Sequence, residues 1–323
     1  MSGELVTVFG GSGFLGRYVV RELCRAGYRV RVAVRFPHLA GDMRVGGAVG
    51  QVQIVQANVR NRPSVERALE DAWGVVNLVG ILVEKGQQSF EGTQALGAKN
   101  VAELAAAAGV QKFVQMSAIG ADDDSDARYA KTKAQAEDAV RKYMPNAVVL
   151  RPSILFGTED EFFNRFAEMS RFTPFMPDIG GGKTKFQPVY VGDVAKAVTA
   201  SLENDAAAGE TFELGGPEVL TYREVLDYIL KEIDRPRWFL PLPFFIAQPL
   251  GYVMGGLFKL WPFHEPPLTG DQVRMLRSDN VVSPDAKGFE ALGVSDLETI
   301  EAIVPTYLWR YRPQGQFHEP KGA

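Results

Sequence analysis

A glycine-rich turn near the start of the chain constrains the fold more than any other feature. The β-branched run Leu5–Phe9 leads directly into Gly10-Gly11-Ser12-Gly13-Phe14-Leu15-Gly16, where an amphipathic helix pattern begins. Glycines at this spacing permit a tight turn and a close approach of the backbone to a pyrophosphate, whose charge meets the free N–H groups of the helix. The spacing is weak evidence alone, but its place between a strand and a helix predicts a dinucleotide site. The candidate residues of the turn are Gly10, Ser12, Gly13, Phe14, Leu15 and Gly16.

The end of the second predicted strand indicates which dinucleotide fits. The segment Arg31–Arg35 contains no acid, and the next one along the chain is Asp42. An NAD site places Asp or Glu here to accept from the ribose 2′-hydroxyl, whereas a guanidinium donates to a 2′-phosphate. Arg35 therefore favours NADPH over NADH, and Arg17, next to the last glycine of the turn, is a second candidate for the phosphate.

Two further strand ends supply candidate cofactor residues. Asn58 and Val59 follow the third predicted strand and fit the edge of an adenine ring. Val79 and Gly80 follow the fourth and fit a close backbone approach to the nicotinamide half. Because the carboxyl ends of parallel strands meet at one edge of a sheet, we expect these residues to lie beside the glycine turn.

Short β-branched runs alternate with helical patterns as far as residue 155. This alternation predicts an α/β fold, a doubly wound parallel sheet with helices on its faces. The predicted strands are Leu5–Phe9, Val30–Val34, Val52–Gln56, Gly74–Val79, Lys112–Met116 and Ala147–Leu150. The predicted helices are Phe14–Ala26, Ser64–Asp71, Thr93–Ala108 and Tyr129–Lys142.

A smaller, discontinuous α+β domain is predicted beyond residue 156, where the alternation weakens. The pattern there predicts a helix Glu161–Ser170, an extended run Lys185–Val191, a helix Val194–Leu202 with Asp193 as its N-cap, and a strand Thr211–Leu214 that returns to the sheet. We therefore expect a Rossmann domain of residues 1–156 and 187–215. Residues 157–186 and 216–323 would form a second domain that binds a substrate or docks on a partner.

The segment Trp238–Phe258 contains no Asp, Glu, Lys, Arg or His. Its length matches a membrane span, yet Pro241, Pro243, Pro249 and several glycines interrupt it, which argues against a lipid-exposed helix. Three interpretations stay open: an aromatic-rich lid or core of the second domain, a surface docked on a membrane-protein partner, or a contact with the bilayer interface.

Composition narrows the class of protein. With 46% hydrophobic and 23% charged residues and a net charge of -4, the chain is typical of globular proteins and is not expected to bind nucleic acid. The single cysteine, Cys24, is predicted to be buried in the first helix. His38, His264 and His318 lack metal-ligand spacing, so we expect no metal site. No charged segment followed by an apolar run precedes Leu5, and we expect no signal or transit peptide.

Ser117, Tyr129 and Lys133 form a candidate catalytic group. Tyr129 and Lys133 are four residues apart and share one helix face, and Ser117 follows the fifth predicted strand. In a carbonyl reductase the Tyr hydroxyl donates a proton, the Lys ammonium lowers the Tyr pKa and holds the nicotinamide ribose, and the Ser hydroxyl orients the substrate. Tyr129 and Lys133 are equally compatible with holding the ribose of a cofactor that is never turned over.

With the strand, the turn and these three residues, the chain resembles the atypical short-chain dehydrogenase/reductases of the extended, epimerase-like type. The runs Leu150–Gly157, Pro188–Ala195 and Gly215–Pro217 are similar to later landmarks of that group, and the resemblance covers nearly the whole chain. It adds Pro152 to the candidate cofactor residues.

A narrower resemblance rests on four further runs. The chain is similar here to the NADPH-binding accessory subunits of respiratory complex I, the NADH:quinone oxidoreductase. The four runs are Phe163–Phe172, Gly180–Ala195, Pro266–Val273 and Tyr307–Pro313. This resemblance implies a peripheral-arm subunit beside the core subunits of the quinone module, with NADPH held but not turned over. Since the mitochondrial members carry presequences, it implies a bacterial relative at the cytoplasmic face of the inner membrane.

Two alternatives stay open at this point. The first is an active NADPH-dependent reductase or epimerase that acts on a hydrophobic or sugar-nucleotide substrate through Ser117, Tyr129 and Lys133. The second is a redox-sensing regulator in which NADPH occupancy changes a partner surface.

Overall fold

Strands and helices alternate along the first half of the chain, as the sequence pattern predicts. The computed structural model describes residues 3–259 and 268–317. Its strands are β1 Leu5–Phe9, β2 Arg29–Val34, β3 Val52–Gln56, β4 Gly74–Asn77, β5 Lys112–Met116, β6 Val148–Pro152, β7 Leu155–Phe156, β8 Phe175–Ile179, β9 Lys185–Phe186, β10 Val189–Tyr190, β11 Thr211–Leu214, β12 Leu220–Thr221 and β13 Trp238–Leu242. Its α-helices are α1 Phe14–Arg25, α2 Arg62–Leu69, α3 Leu96–Ala107, α4 Arg128–Tyr143, α5 Phe163–Phe172, α6 Val191–Glu203, α7 Tyr222–Glu232, α8 Phe244–Lys259, α9 Gly270–Met275, α10 Ile300–Ile303 and α11 Pro305–Leu308.

The chain divides into two units, each with its own core. Unit 1 consists of Met1–Pro152, Val191–Leu214 and Ser283–Asp296. Unit 2 consists of Ser153–Tyr190, Gly215–Val282 and Leu297–Ala323. The roles expected for a second domain, in substrate or partner binding, stay predictions.

A seven-stranded parallel sheet forms the centre of unit 1, in the order β11-β6-β5-β4-β1-β2-β3. The chain runs outward from β1 through β2 to β3 and then returns to place β4 on the other side of β1, so the strand order reverses between β1 and β4. Such a switch point opens a crevice at the carboxyl ends of the two strands, where doubly wound folds bind nucleotides. The predicted fold class is confirmed.

Buried aliphatic side chains hold the helices of unit 1 on its sheet. Val65 of α2, Val101 of α3 and Val140 of α4 pack in one cluster with Val75 of β4 and Phe113 of β5. Cys24 is free and buried, as predicted, and burial raises the pKa of its thiol to about 11. At pH 7 this thiol is protonated and packs as a small apolar group.

Asp193 does not cap a helix, contrary to the expectation from its sequence. Helix α6 begins two residues earlier, at Val191, and Asp193 is fully buried in its first turn. Its carboxylate accepts from Lys196 Nζ at 2.8 Å, and an acid in the first turn also meets the positive end of the helix dipole. Asp193 thus stabilises α6 from inside its first turn and not as its N-cap.

Unit 2 is built on short strand pairs and one aromatic core. β7 pairs with β10, β8 with β13, and β9 with β12. The core contains Phe156, Phe163, Met176, Phe186, Tyr222, Leu226 and Tyr307. The Tyr307 hydroxyl donates to Asp160 Oδ2 at 2.6 Å, and the same carboxylate accepts from the backbone of Asn164 at 3.1 Å. Through Asp160, this buried contact connects α11 to the first turn of α5.

The charge-free segment Trp238–Phe258 forms β13 and most of α8. The helix runs through Pro249, although proline was expected to interrupt the segment; the lost hydrogen bond would have gone to the carbonyl of exposed Phe245, which water can reach. Ala247 packs into the core of unit 2, whereas Trp238 is 72% and Phe245 75% exposed. Among the described residues no helix is long and apolar enough to cross a bilayer. His264, His318, Pro266 and Pro267 lie outside the described residues.

Candidate dinucleotide site

The glycine turn lies at the switch point of the sheet. Gly10 has a φ of +80°, which favours glycine, and its N–H donates to Ala33 O of β2 at 3.1 Å. A Cβ added at Gly10 would lie 3.3 Å from Leu78 C and 3.4 Å from Val79 N, directly after β4. The structure therefore brings Gly10 and Val79 together, at the place where a dinucleotide crosses the sheet.

The turn forms a backbone cradle that suits a pyrophosphate. A Cβ at Gly16 would lie 2.5 Å from Gly10 O and 2.6 Å from Gly11 C, so only glycine lets α1 begin this close to the turn. The first residues of α1, Phe14 and Leu15, follow an extended Gly13, and no side chain of the described residues caps the helix. The first N–H groups of α1 thus have no side-chain acceptor, and they suit an anion.

Two of the candidate residues are arginines, one after β2 and one in the first turn of α1. Arg35 is exposed just beyond β2, and within the described part of the chain no acid forms an ion pair with it. Arg17 in the first turn of α1 is half-buried and pairs with Asp42 from the loop after β2. The exposed Arg35 guanidinium suits a 2′-phosphate, whereas the Arg17 guanidinium already has the Asp42 carboxylate as an anion.

Asn58 and Val59 mainly stabilise the turn after β3. Asn58 Oδ1 accepts from the backbone N–H of Arg60 at 3.1 Å, and the Asn58 backbone N–H donates to Ser64 Oγ at 3.0 Å. Val59 is buried, and its carbonyl accepts from Asn100 Nδ2 at 2.9 Å. These contacts place the turn at the carboxyl edge of the sheet, and a role in binding adenine stays a prediction.

Lys133 and Gly80 meet at the opposite end of the crevice. A Cβ at Gly80 would lie 3.4 Å from Lys133 Nζ, which also donates to Met116 O at 3.3 Å. Burial lowers the pKa of Lys133 to about 8, while the nearby charge of Glu137 opposes that shift. The ammonium is thus a buried cation at the edge where a nicotinamide ribose is expected.

Tyr129 lies one helical turn before Lys133, whose Nζ is 5.8 Å from the centre of the Tyr129 ring. The ring meets Phe90 edge to face, at 6.1 Å between centres. Burial raises the pKa of the Tyr129 hydroxyl to about 12, so this group is protonated at neutral pH. Tyr129 and Lys133 are brought together as their spacing predicts, at the carboxyl edge of β4 and β5.

The Ser117 hydroxyl forms a hydrogen bond with Glu137, a residue that was not predicted to belong to the site. Its hydroxyl donates to Glu137 Oε1 at 2.5 Å, and both residues are buried. The Glu137 carboxylate also accepts from Arg151 Nε at 2.9 Å and Arg151 Nη2 at 2.7 Å. The hydroxyl expected to orient a substrate therefore completes a buried charge network. Pro152, next to Arg151, is buried at the end of β6, where its carbonyl accepts from Ile119 at 3.1 Å.

The spacing of the chain contained a signal for Glu137. It follows Lys133 by four residues, as Lys133 follows Tyr129, and all three therefore share one face of α4. No comparable signal exists for Asp42, whose pairing with Arg17 depends on the path of the loop after β2.

The similarity to known proteins extends over nearly the whole chain. Residues 6–215 match the NAD dependent epimerase/dehydratase family. The chain is 35% identical to NADH dehydrogenase (ubiquinone) 1 alpha subcomplex subunit 9, mitochondrial, of Arabidopsis thaliana, over 98% of this chain and 80% of that one. It is 31% identical to the NADH-ubiquinone oxidoreductase 40 kDa subunit, mitochondrial, of Neurospora crassa, over 99% of this chain and 83% of that one.

Among solved structures, the UDP-glucose 4-epimerase of Thermus thermophilus in complex with NAD has the same fold. Its TM-score is 0.65 at 20% identity, over 96% of this chain and 99% of that one. At this identity the likeness supports the fold alone.

Proposed function

This chain belongs to the NAD dependent epimerase/dehydratase family and, within it, to the alpha subcomplex subunit 9 proteins of NADH dehydrogenase, and we therefore propose that it is an accessory subunit of respiratory complex I that holds NADPH. The match to that subunit over 98% of the chain carries the proposal, because it extends through unit 2 as well as the cofactor residues. A shared cofactor motif alone would not extend so far.

NADPH would lie across the carboxyl edge of the sheet. The turn Gly10–Gly16 would bind its pyrophosphate, Arg17 and Arg35 its 2′-phosphate, and Tyr129 and Lys133 its nicotinamide ribose. NADPH carries a transferable hydride, which the proposed subunit would hold without using. What this chain supplies is a cradle, two guanidiniums and a buried ammonium.

Arg35→Met is expected to weaken NADPH binding at least about tenfold and to leave NADH binding nearly unchanged. The reason is that only NADPH carries the phosphate that the guanidinium contacts. Titration of the purified protein with each nucleotide gives both dissociation constants. Arg21→Met is the matched control, since it removes the same charge from an exposed position of α1. Equal losses for NADPH and NADH would contradict the assignment of Arg35.

The proposal that NADPH is held without turnover rests on Ser117. Its buried hydroxyl donates to Glu137 at 2.5 Å, and a substrate carbonyl would have to compete with a charged acceptor for it. Tyr129 and Lys133 would then serve to bind the ribose. A cofactor that binds only the folded state stabilises that state, and the stabilisation grows with the logarithm of one plus the ratio of free cofactor to its dissociation constant, which is a function in itself.

We assign partner docking to the exposed apolar side chains of unit 2. Five apolar side chains of β13 and α8 are between 45% and 75% exposed: Trp238, Leu240, Phe245, Ile246 and Val253. Exposed apolar side chains so close in sequence are typical of protein or bilayer contacts. We propose that they face the quinone module near the inner membrane.

An active reductase is the second candidate, and the contact of Lys133 with Gly80 beside Tyr129 favours it. Tyr129→Phe separates the two functions, because it removes the proton donor and keeps the ring. If NADPH is a structural cofactor, we expect loss of the hydroxyl contact with the ribose to weaken NADPH binding by no more than about tenfold and complex I to assemble normally. Loss of a measurable NADPH-dependent reduction, with assembly intact, would instead favour the reductase. Phe90→Leu is the control, because it removes the ring packed on Tyr129 but keeps the Tyr129 hydroxyl.

A further inference from the structure

The segment 81–90 connects β4 to the first turn of the helix that continues as α3. It leaves the sheet beside Gly80, at the carboxyl edge where the nicotinamide half is expected, and it turns back through a pair of backbone hydrogen bonds between Lys85 and Gln88 at 3.1 and 3.0 Å. We call this segment the strap.

Arg128 ties the strap beside Tyr129. Its guanidinium donates to both oxygens of Glu84, at 2.9 and 3.1 Å, and to both oxygens of Glu91, at 2.9 Å. Glu84 Oε1 also accepts from the backbone of Phe90 at 3.0 Å, and the Phe90 ring packs on Tyr129. A guanidinium shared between two carboxylates holds its partners better than an isolated surface ion pair does.

Two other contacts hold the same segment. Gln94 Nε2 donates to Ile81 O at 2.7 Å, and Gln94 is itself held by Thr132 of α4 at 3.0 Å. Arg60, in the turn after β3 that is predicted to meet adenine, donates to Gln87 O. The strap is therefore tied from the adenosine side of the crevice by Arg60 and from the nicotinamide side by Arg128.

We propose that the strap retains the dinucleotide in its crevice and that Arg128 is a positioning residue, which acts by holding the strap against Tyr129. The proposal rests on the proposed function in one respect, since it requires NADPH to bind at this edge. It adds a reason why the cofactor is resident: release requires the Arg128 contacts to open. Its effect is on the rate of release, because Arg128 need not touch the cofactor.

The rate of NADPH release tests this proposal. The full chain is loaded with NADPH, mixed rapidly with excess NADP⁺, and followed by the loss of bound-nucleotide fluorescence. We expect Arg128→Met to release NADPH about tenfold faster than the wild type, with a much smaller change in the association rate. Glu84→Gln, which keeps the size of the side chain, is the second variant and is expected to act in the same direction.

Lys287→Met is the matched control. Lys287 pairs with Glu210 at 2.9 Å and is 53% exposed, close to the 51% of Arg128. It is expected to leave the release rate unchanged. Hydrogen exchange of residues 81–90 adds a structural readout, and we expect faster exchange in Arg128→Met and not in Lys287→Met.

The outcomes separate the two claims. If wild-type protein does not bind NADPH, the proposed function and the strap fail together. If it binds NADPH, and Arg128→Met and Glu84→Gln both release it at the wild-type rate, the strap alone is overturned. A release rate that rises equally in Lys287→Met would also overturn it, because the effect would then reflect general destabilisation.

Discussion

Gly16→Ala is expected to lower the affinity for NADPH at least about 100-fold and to destabilise the cofactor-free protein by about 2 kcal/mol. Alanine normally stabilises a helix by about 1 kcal/mol relative to glycine. Here the added Cβ would lie 2.5 Å from Gly10 O and 2.6 Å from both C and O of Gly11, and these backbone atoms cannot rotate away. The start of α1 has to move, and the N–H groups that would meet the pyrophosphate move with it.

Gly46→Ala is the control for this prediction. Gly46 lies in unit 1, and a Cβ there would meet nothing within 4 Å. Both variants are compared by nucleotide titration and urea unfolding. Wild-type affinity in Gly16→Ala would show that the turn does not bind the pyrophosphate.

Glu137→Ala is expected to lower the free energy of unfolding by about 3 kcal/mol. Glu137 is only 4% exposed, and its removal leaves Ser117 without its acceptor and Arg151 with only the longer contact to Glu213, at 3.8 Å. A buried ion pair contributes little when it is replaced as a whole, but removing one partner leaves an uncompensated charge. Urea unfolding of the cofactor-free protein measures this loss.

Glu103→Ala supplies the comparison. Glu103 accepts from both terminal nitrogens of Arg62 at 3.0 Å, but its side chain is 34% exposed. Water can replace its contacts, so its loss is expected to lower the free energy of unfolding much less than the loss of Glu137 does. Similar losses in the two variants would mean that the Glu137 network is not effectively buried.

The centre of the sheet was predictable because β1 and β4 are buried at every position and therefore read as nearly continuous apolar runs. The predicted bounds of β1, β3 and β5 agree with the structure. β4 is shorter than predicted and ends at Asn77, because the Asn77 side chain accepts from the backbone of Val79 at 3.3 Å and starts a turn. A polar side chain that competes with the ladder is hard to detect inside an apolar run.

The candidate dinucleotide site was predictable where backbone geometry determines it. It was less predictable where it depends on which side chains contact one another. Gly10, Gly16 and the pairing of Tyr129 with Lys133 depend on local geometry, which spacing encodes. The direction of Ser117 depends on Glu137, twenty residues further along the chain, and the neighbours of Arg17 depend on a loop. The spacing places Glu137 on the same face of α4 as Lys133, but which side chains Glu137 and Arg17 contact is set by tertiary packing.

Native purification tests the central proposal most directly. Membranes of the source organism are solubilised in mild detergent, the tagged full chain is isolated, and both the co-purifying proteins and the nucleotide released on denaturation are identified. We expect subunits of NADH:quinone oxidoreductase and NADPH in near-equal amount to this chain. A protein that never co-migrates with that enzyme, or that releases no dinucleotide, would contradict the assignment to complex I or the cofactor, respectively.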